Sequence, residues 1–106
     1  MKLYITDDQA LQLFNVFNFP NPFVSETQFS FEISSTAEIS VDIFTLGGRM
    51  ICQISPQTVT AGYNFINWDG RDKYGDILAN CVYLYRVKAK NGNESVSTIG
   101  KIAKYQ

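Results

Sequence analysis

Apolar and polar residues alternate with a period of two over much of the chain. The clearest runs are 28–33, 38–43 and 83–89, in which every second residue is apolar and its neighbours are mostly polar. Because successive side chains of a strand point to opposite faces, each run predicts a strand with one buried and one solvent-facing side. For 38–43, this pattern places Asp42 on the solvent side.

Turn-forming segments separate these runs at a spacing of about ten residues. They include Pro20-Asn21-Pro22, Gly47-Gly48, Asp69-Gly70 and Asn91-Gly92-Asn93. Short strands at this spacing indicate an antiparallel β-sandwich, and we predict an all-β domain of about seven strands in two packed sheets. The predicted strands are 11–19, 28–34, 37–46, 49–55, 62–68, 81–90 and 96–104.

The chain of 106 residues has the size of one domain. We expect residues 11–106 to form the sandwich and residues 1–10 to be a linker or extended segment, because 6–9 are polar and lack a pattern. No apolar stretch approaches the roughly 20 residues of a transmembrane helix, so no membrane span is expected.

The two halves of the chain differ in charge. Residues 1–48 contain one basic and six acidic residues, whereas 49–106 contain eight basic and four acidic residues. The basic residues are scattered singly along the predicted strands and do not form the clustered stripe of a nucleic-acid binder. We therefore expect no nucleic-acid partner.

The chain contains no His, which supplies the base in most nucleophilic catalysis. Its two cysteines, Cys52 and Cys81, match no metal-binding spacing. We expect two free thiols that behave as small apolar groups, with an inter-strand disulfide as the alternative. No catalytic residue and no cofactor are predicted.

Three carboxylates, Asp69, Asp72 and Asp76, lie close together in the sequence. Oxygen-rich loops of this kind can hold calcium, so these residues are weak calcium candidates. Their spacing differs from the Asp-x-Asp-x-Asp-Gly pattern, and two basic residues lie between them. The favoured interpretation is that Asp69 and Asp72 cap turns through their side chains.

Aromatic residues suggest one further kind of site. Phe65, Tyr74 and Tyr105 are predicted to be exposed and could form a platform on which sugar rings stack, so an accessory carbohydrate-binding module is an alternative function. Trp68 alternates with Ile66 and is predicted to lie in the core.

Several motifs follow one another in a defined order along the chain. They are Asn18-Phe19-Pro20-Asn21-Pro22-Phe23, Val41-Asp42-Ile43-Phe44-Thr45-Leu46-Gly47-Gly48-Arg49, and Gly62-Tyr63-Asn64 running into Trp68-Asp69-Gly70-Arg71-Asp72 and Val82-Tyr83-Leu84-Tyr85. In this order and spacing, the chain resembles the hook-capping-type immunoglobulin-like modules that serve as C-terminal domains of type IX secretion cargo in Bacteroidetes and relatives. The resemblance covers about residues 15–104, and Lys101-Ile102 is similar to the Gly-Lys ending of that family. Cys81 departs from the pattern, which has Gly before the Val-Tyr pair.

This resemblance implies an immunoglobulin-like or fibronectin-like antiparallel sandwich that acts as a non-catalytic sorting or docking module of a larger secreted or surface protein. The implied partners are the upstream domain of the parent chain and the outer-membrane secretion and attachment machinery. The implied location is the bacterial cell surface or the exterior. A hook-cap-like structural module is the alternative.

The motif residues also have predicted structural roles. Pro20 and Pro22 favour an extended segment outside the ladder that brings Phe23 to the edge of the core. Asn21 belongs to the same segment. Gly48 is expected to close a hairpin, and Trp68 is expected to end a strand in the core. Asp69 and Gly70 are then expected to turn the chain outward, and Tyr83 and Tyr85 to lie on a strand in the middle of a sheet.

A finer resemblance concerns the segment 68–79, with Asp7-Asp8 and Leu11 upstream. These residues are similar to the tail of gingipain-like cysteine peptidases that act as the type IX sortase. That resemblance implies that the catalytic Cys and His belong to an upstream domain, and that neither Cys52 nor Cys81 performs peptidase chemistry.

Overall fold

The computed structural model describes residues 10–105, which form seven strands in two sheets and contain no helix. This architecture is the immunoglobulin-like β-sandwich that the alternating pattern and the resemblance predict. The strands are β1 (Leu13–Phe19), β2 (Thr27–Ile33), β3 (Ala37–Thr45), β4 (Met50–Val59), β5 (Gly62–Trp68), β6 (Cys81–Asn91) and β7 (Glu94–Lys104).

The two sheets have the strand orders β1-β2-β5 and β4-β3-β6-β7, and neighbouring strands are antiparallel. We refer to them as the three-stranded and the four-stranded sheet. Strand β6, which carries Tyr83 and Tyr85, lies between β3 and β7, so the prediction of a central strand is confirmed. Gly48 lies in the short turn that joins β3 to β4, with φ of 96°.

The inner faces of both sheets form one core, in which aromatic rings connect the layers. The Trp68 ring centroid lies 5.4 Å from that of Phe23 and 6.3 Å from that of Phe29, and the Phe29 centroid lies 4.9 Å from that of Tyr85. Trp68 is only 4% exposed, so its predicted place in the core is confirmed.

The segment after β1 crosses to the edge of β7 and pairs with its end. The Phe23 amide donates to the Ala103 carbonyl oxygen, and the Tyr105 amide donates to the Phe23 carbonyl oxygen, both at 2.9 Å. The Asn21 side chain accepts from the Ala103 amide and donates to the Lys101 carbonyl oxygen, each at 3.0 Å. Phe23 is fully buried, as predicted, but its segment pairs with β7, whereas the sequence-based prediction placed it outside the ladder.

The end of β4 differs from the sequence-based prediction by four residues, and the starts of β1 and β7 each differ by two. Strand β4 continues past Pro56 to Val59, whereas the prediction ended it at 55. It does so because β4 is an edge strand whose pairing with β3 shifts register between Ile39 and Val41, and proline is tolerated at such edge irregularities. Strand β7 begins at 94 rather than 96, because Asn91 pairs with Glu94 across a tight turn at Gly92.

The prediction for Asp42 is wrong in one respect. Its side chain points to the outer face of the four-stranded sheet as expected, but Asp42 is only 2% exposed. The Arg86 side chain on the neighbouring strand covers it, donating from Nη2 at 2.7 Å and from Nε at 3.2 Å. Gln53 on the other side donates from Nε2 at 2.9 Å.

The predicted linker, residues 1–10 with Asp7 and Asp8, lies almost entirely outside the described residues. Leu11, which the finer resemblance includes, is buried in the core. Within residues 10–105, no helix exists that is long and apolar enough to cross a membrane.

Candidate interaction surface

The loop that follows β5 is shaped by the side chains predicted to cap turns. Asp69 Oδ1 accepts from the Arg71 amide at 3.0 Å, and Asp72 Oδ1 accepts from the amides of Tyr74 and Asp76 at 2.9 Å each. The Trp68 indole donates to the Arg71 carbonyl oxygen at 3.1 Å. The bonds of the two aspartates are local side-chain to backbone bonds of the kind that form Asx turns.

The three aspartates do not converge on a common point. Among residues 10–105, no group of three or more Cys, Asp or Glu side chains is placed to hold a metal ion. One Oδ atom each of Asp69 and Asp72 accepts from backbone amides, and Asp76 contributes its amide and carbonyl rather than its carboxylate to the turn. The geometry is that of a turn, and calcium gains no support from it.

An open pocket of about 460 Å³ lies beside this loop, between the first half of β4 and the end of β5. It is lined by Glu26, Cys52, Ile54, Asn67, Trp68, Asp69, Arg71 and Asp72. Burial raises the pKa of Cys52, and the nearby aspartates add to the effect, outweighing a hydrogen bond from the Trp68 side chain that lowers it. The thiol therefore stays protonated near neutral pH and is a weak nucleophile.

Both cysteines are free thiols, as the favoured interpretation predicts. Cys52 is half-buried in β4 and pairs with Ile43, whereas Cys81 is exposed at the start of β6 and pairs with Lys104. They lie on strands that are not neighbours, since β3 lies between β4 and β6.

The outer face of the three-stranded sheet carries a set of exposed aromatic side chains. Phe17 on β1 and Phe65 on β5 both pair with Ser30 of β2, so these side chains form one row across the sheet. Rows on either side contain Phe14 with Tyr63, and Phe19 with Asn67. The exposed fractions are 44% for Phe14, 59% for Phe17, 77% for Phe19, 73% for Tyr63 and 60% for Phe65. We refer to this surface as the aromatic face.

A bulge in β1 brings the rings of that strand to one side. Phe14 and Phe17 are three residues apart, so strict alternation would place them on opposite faces. The register shifts between them, and Asn15 adopts a left-handed conformation with φ of 53°. The Asn15 amide nitrogen donates to the Glu32 carboxylate on β2. The extra residue restores the phase, so Phe14, Phe17 and Phe19 share the outer face.

The sequence-based prediction found only part of this surface. Phe65 was expected to be exposed, and it is, but the structure places Tyr74 and Tyr105 elsewhere: Tyr74 lies in the loop after β5 and Tyr105 follows β7. The three rings of β1 were missed because the bulge hides their common phase. A run of Phe residues in a strand next to a polar central strand was the available signal.

The opposite face of the sandwich is polar and basic by comparison. Lys88, Lys90 and Lys101 lie on its outer side, and the Asp42–Arg86 ion pair occupies its centre. The Arg86 guanidinium carbon also lies 5.2 Å from the centroid of the Phe44 ring, which is a cation–π contact. The two outer faces therefore have different chemistry.

Comparison with solved structures identifies similar folds in larger proteins. A crystal structure of dimeric latent PorU from Porphyromonas gingivalis is similar with a TM-score of 0.77 and 23% identity, over 90% of this chain and 9% of PorU. The structure of FlgD from P. aeruginosa is similar with a TM-score of 0.64 and 16% identity, over 74% of this chain and 61% of FlgD. At these identities, the likeness establishes the fold alone.

Sequence comparison provides the family. No curated protein matches the chain. A family model described as the FlgD Ig-like domain matches residues 19–93, which include the Pro20-Asn21-Pro22-Phe23 segment, the β3–β4 turn and the Trp68 loop. Because this match covers well over half of the sequence and agrees with the observed sandwich, the chain belongs to the FlgD Ig-like domain family.

Proposed function

We propose that this domain is a non-catalytic sorting or docking module of a larger exported protein and occupies the C-terminal position in that protein. The observation that supports this role is the likeness to PorU, in which a region of the same fold and nearly the same size makes up only 9% of the chain. Membership of the FlgD Ig-like domain family is consistent with a module that binds a partner through its surface and performs no chemistry.

The division of labour follows from this proposal. Residues 11–106 are the module and residues 1–10 connect it to an upstream domain. Type IX secretion and attachment machinery at the outer membrane is the partner, and the cell surface or the exterior is the destination. Any catalytic activity of the parent protein belongs to the upstream domain. The resemblance of segment 68–79 to gingipain-like tails supports a cysteine peptidase as the parent protein. The raised pKa of Cys52 agrees with a thiol that has no nucleophilic role.

The test is export of a reporter. The 106-residue chain is fused to the C-terminus of a periplasmic fluorescent protein in a bacterium with type IX secretion, and surface fluorescence is measured after quenching or protease treatment of intact cells. We expect the reporter to reach the surface. A reporter that carries a folded domain but stays in the periplasm would contradict the proposal.

The likeness to FlgD and the name of the family favour a second candidate, a structural module of the hook-cap type. This role predicts a parent protein whose other regions are assembly domains rather than an enzyme. The sequence upstream of this domain in the parent gene decides between the two: a peptidase or other enzyme domain supports the sorting module, and assembly domains support the structural module.

A further inference from the structure

The aromatic face consists of two aromatic rails with a polar strip between them. Phe14, Phe17 and Phe19 form one rail on β1, and Tyr63 and Phe65 form the other on β5. Since neighbouring strands lie about 4.8 Å apart, the rails run about 10 Å from each other. Strand β2 lies between them, and its outward side chains are amide, hydroxyl and carboxylate groups. They are Gln28, Ser30 and Glu32.

The charge of this face restricts what it can bind. Strands β1, β2 and β5 contain no Lys or Arg, and Glu32 is their acidic residue. The Glu32 carboxylate accepts a hydrogen bond from the Asn15 side chain within the face. Nucleic acids and acidic polysaccharides require cationic partners for their charges, and this surface offers them none. A ligand without net charge is therefore the complementary one.

Ring faces beside neutral hydrogen-bonding groups match one class of uncharged polymer. A sugar ring presents C–H groups on its flat faces and hydroxyl groups at its edges. The C–H groups can pack on the negative face of an aromatic ring, and the hydroxyl groups can bond to amide and hydroxyl side chains. We propose that the aromatic face binds a neutral polysaccharide chain that lies along β2 between the two rails.

A depression at one end of the strip supports this assignment. It has a volume of about 210 Å³ and is lined by Phe19, Pro20, Glu26, Thr27, Gln28 and Asn67. That volume equals about seven water molecules at ~30 Å³ each, which is the scale of one sugar ring. The Gln28 amide nitrogen donates to Asn67 Oδ1 at 3.2 Å, which fixes both amides beside the Phe19 ring.

The arrangement fits a protein partner less well. Protein interfaces have an apolar centre with the strongest contacts in the middle and polar groups at the rim. On the aromatic face this order is reversed, because the central strand is polar and the rings lie at the sides. A second copy of the chain or another protein as the occupant is an outcome that the experiment below separates.

The experiment measures binding by the 106-residue chain in native affinity gels that contain hydroxyethylcellulose, glucomannan or starch, with polygalacturonate as the polyanionic probe. We expect retardation by at least one of the neutral polymers and none by polygalacturonate. A variant carrying Phe17→Ala and Phe65→Ala is expected to bind at least about tenfold more weakly, since both rings of the central row are lost. Circular dichroism and the melting temperature verify that the variant is folded.

Two control variants make the test specific. Phe17→Leu with Phe65→Leu keeps much of the apolar surface but removes the ring faces, so it should also lose binding. Tyr74→Ala with Ile99→Ala removes exposed apolar side chains outside the aromatic face and should bind like the unmodified chain.

Several results would overturn the proposal. They are failure of all three neutral polymers to retard the folded chain, equal retardation by polygalacturonate, and unchanged binding after removal of Phe17 and Phe65. Self-association in sedimentation velocity that disappears in the same variant would assign the face to a second copy and would also overturn it. Because this site is independent of the proposed sorting role, its failure leaves the export experiment unaffected.

Discussion

At the scale of single residues, Trp68 connects the fold with the loop that follows β5. Its ring packs against Phe23 and Phe29 in the core, and its indole nitrogen bonds the Arg71 carbonyl oxygen in the loop. One side chain therefore supports both the core and the turn. The sequence pattern places it inside, but the hydrogen bond to the loop depends on three-dimensional proximity and could not be predicted.

We expect Trp68→Ala to lower the free energy of unfolding by about 3–5 kcal/mol, because it removes a large buried side chain and leaves a cavity. Chemical denaturation measured by circular dichroism checks this value. Tyr74→Ala, at a position 77% exposed in the neighbouring loop, is the control and should change the stability by less than about 0.5 kcal/mol. Equal effects of the two substitutions would contradict the observed core.

Gly70 shows a second residue-scale constraint, because the chain passes very close to another segment there. A Cβ atom at this position would lie 2.3 Å from the Ser25 carbonyl oxygen and 2.9 Å from the Phe23 ring. Gly70 also has φ of 75°, a conformation that favours glycine.

Comparison of two glycine variants isolates the effect of that contact. Gly48 has φ of 96° but open space around it, so Gly48→Ala should cost only the backbone strain, about 1–2 kcal/mol. Gly70→Ala should cost at least about 3 kcal/mol, because the clash with backbone adds to the strain. Denaturation midpoints of both variants check this difference, and a Gly70→Ala variant no less stable than Gly48→Ala would refute it.

At the scale of strands, the ion pair of Asp42 and Arg86 connects β3 with β6, and Gln53 extends the contact to β4. The Asp42 carboxylate is enclosed, whereas Arg86 is about one-third exposed. Removing the arginine leaves a buried carboxylate without its charged partner, which costs more than the pair contributes when intact.

We therefore expect Arg86→Met to destabilise the domain by about 2–4 kcal/mol. A double-mutant cycle with Asp42→Ala should give a coupling energy of about 1–3 kcal/mol. Glu38 and Lys90 face each other on the same two strands but are exposed, so they provide a control cycle with a coupling below about 0.5 kcal/mol. Similar coupling energies in both cycles would contradict the enclosed geometry.

Strand β6 also makes stability depend on alkaline pH. Burial raises the pKa of Tyr85 and of Tyr83 above the ordinary value of 10.0. The unfolded chain therefore loses these protons at a lower pH than the folded domain. Their contribution to stability is present in full below about pH 10 and decreases as the pH rises through the folded-state values.

Replacement of Tyr85 tests this dependence. The range from pH 9 to pH 11 spans the ordinary tyrosine pKa of about 10. Over this range, the Tyr85→Phe variant should lose less stability than the unmodified chain does. Urea denaturation over this range gives the measurement. A parallel decrease in the two proteins would show that ionisation of Tyr85 is not coupled to unfolding.

The positions of the strands follow from features that the sequence displays, and the departures from the predicted pattern have local physical causes. Alternation predicts where strands occur because burial of one face selects every second residue, as in β2. Alternation fails to predict burial in two places. The bulge at Asn15 changes the phase of β1, and the Arg86 side chain covers Asp42 on a face that was expected to be exposed to solvent. Pairing across strands is not visible in the pattern of one strand.

The same distinction applies to the candidate surface. The sequence predicts that Phe65 is exposed, because Phe65 lies next to Ile66 in β5 and therefore points to the opposite face from Ile66 and Trp68. It does not predict that Phe17 lies in the same row, because that requires both strands to pair with β2 at Ser30. The aromatic face is therefore a property of the sheet rather than of any motif.

At the scale of the whole molecule, the domain is a sandwich with two dissimilar outer faces, and the end of β7 is hydrogen-bonded to the segment that follows β1. Phe23 and Asn21 hold the last residues of β7, so the C-terminal strand is bonded on both of its edges there. A preformed domain of this kind can present a surface to a partner without first paying the entropy of ordering a flexible segment.

The fraction of a fused reporter that reaches the cell surface tests the proposed sorting role most directly. The domain is fused to the reporter in a secretion-competent strain and in the same strain without type IX secretion, and the unfused reporter is measured in both. The proposal predicts surface reporter only for the fusion in the competent strain. Equal surface fractions for the fusion in the two strains, or retention of the folded fusion in the periplasm of both, would contradict it.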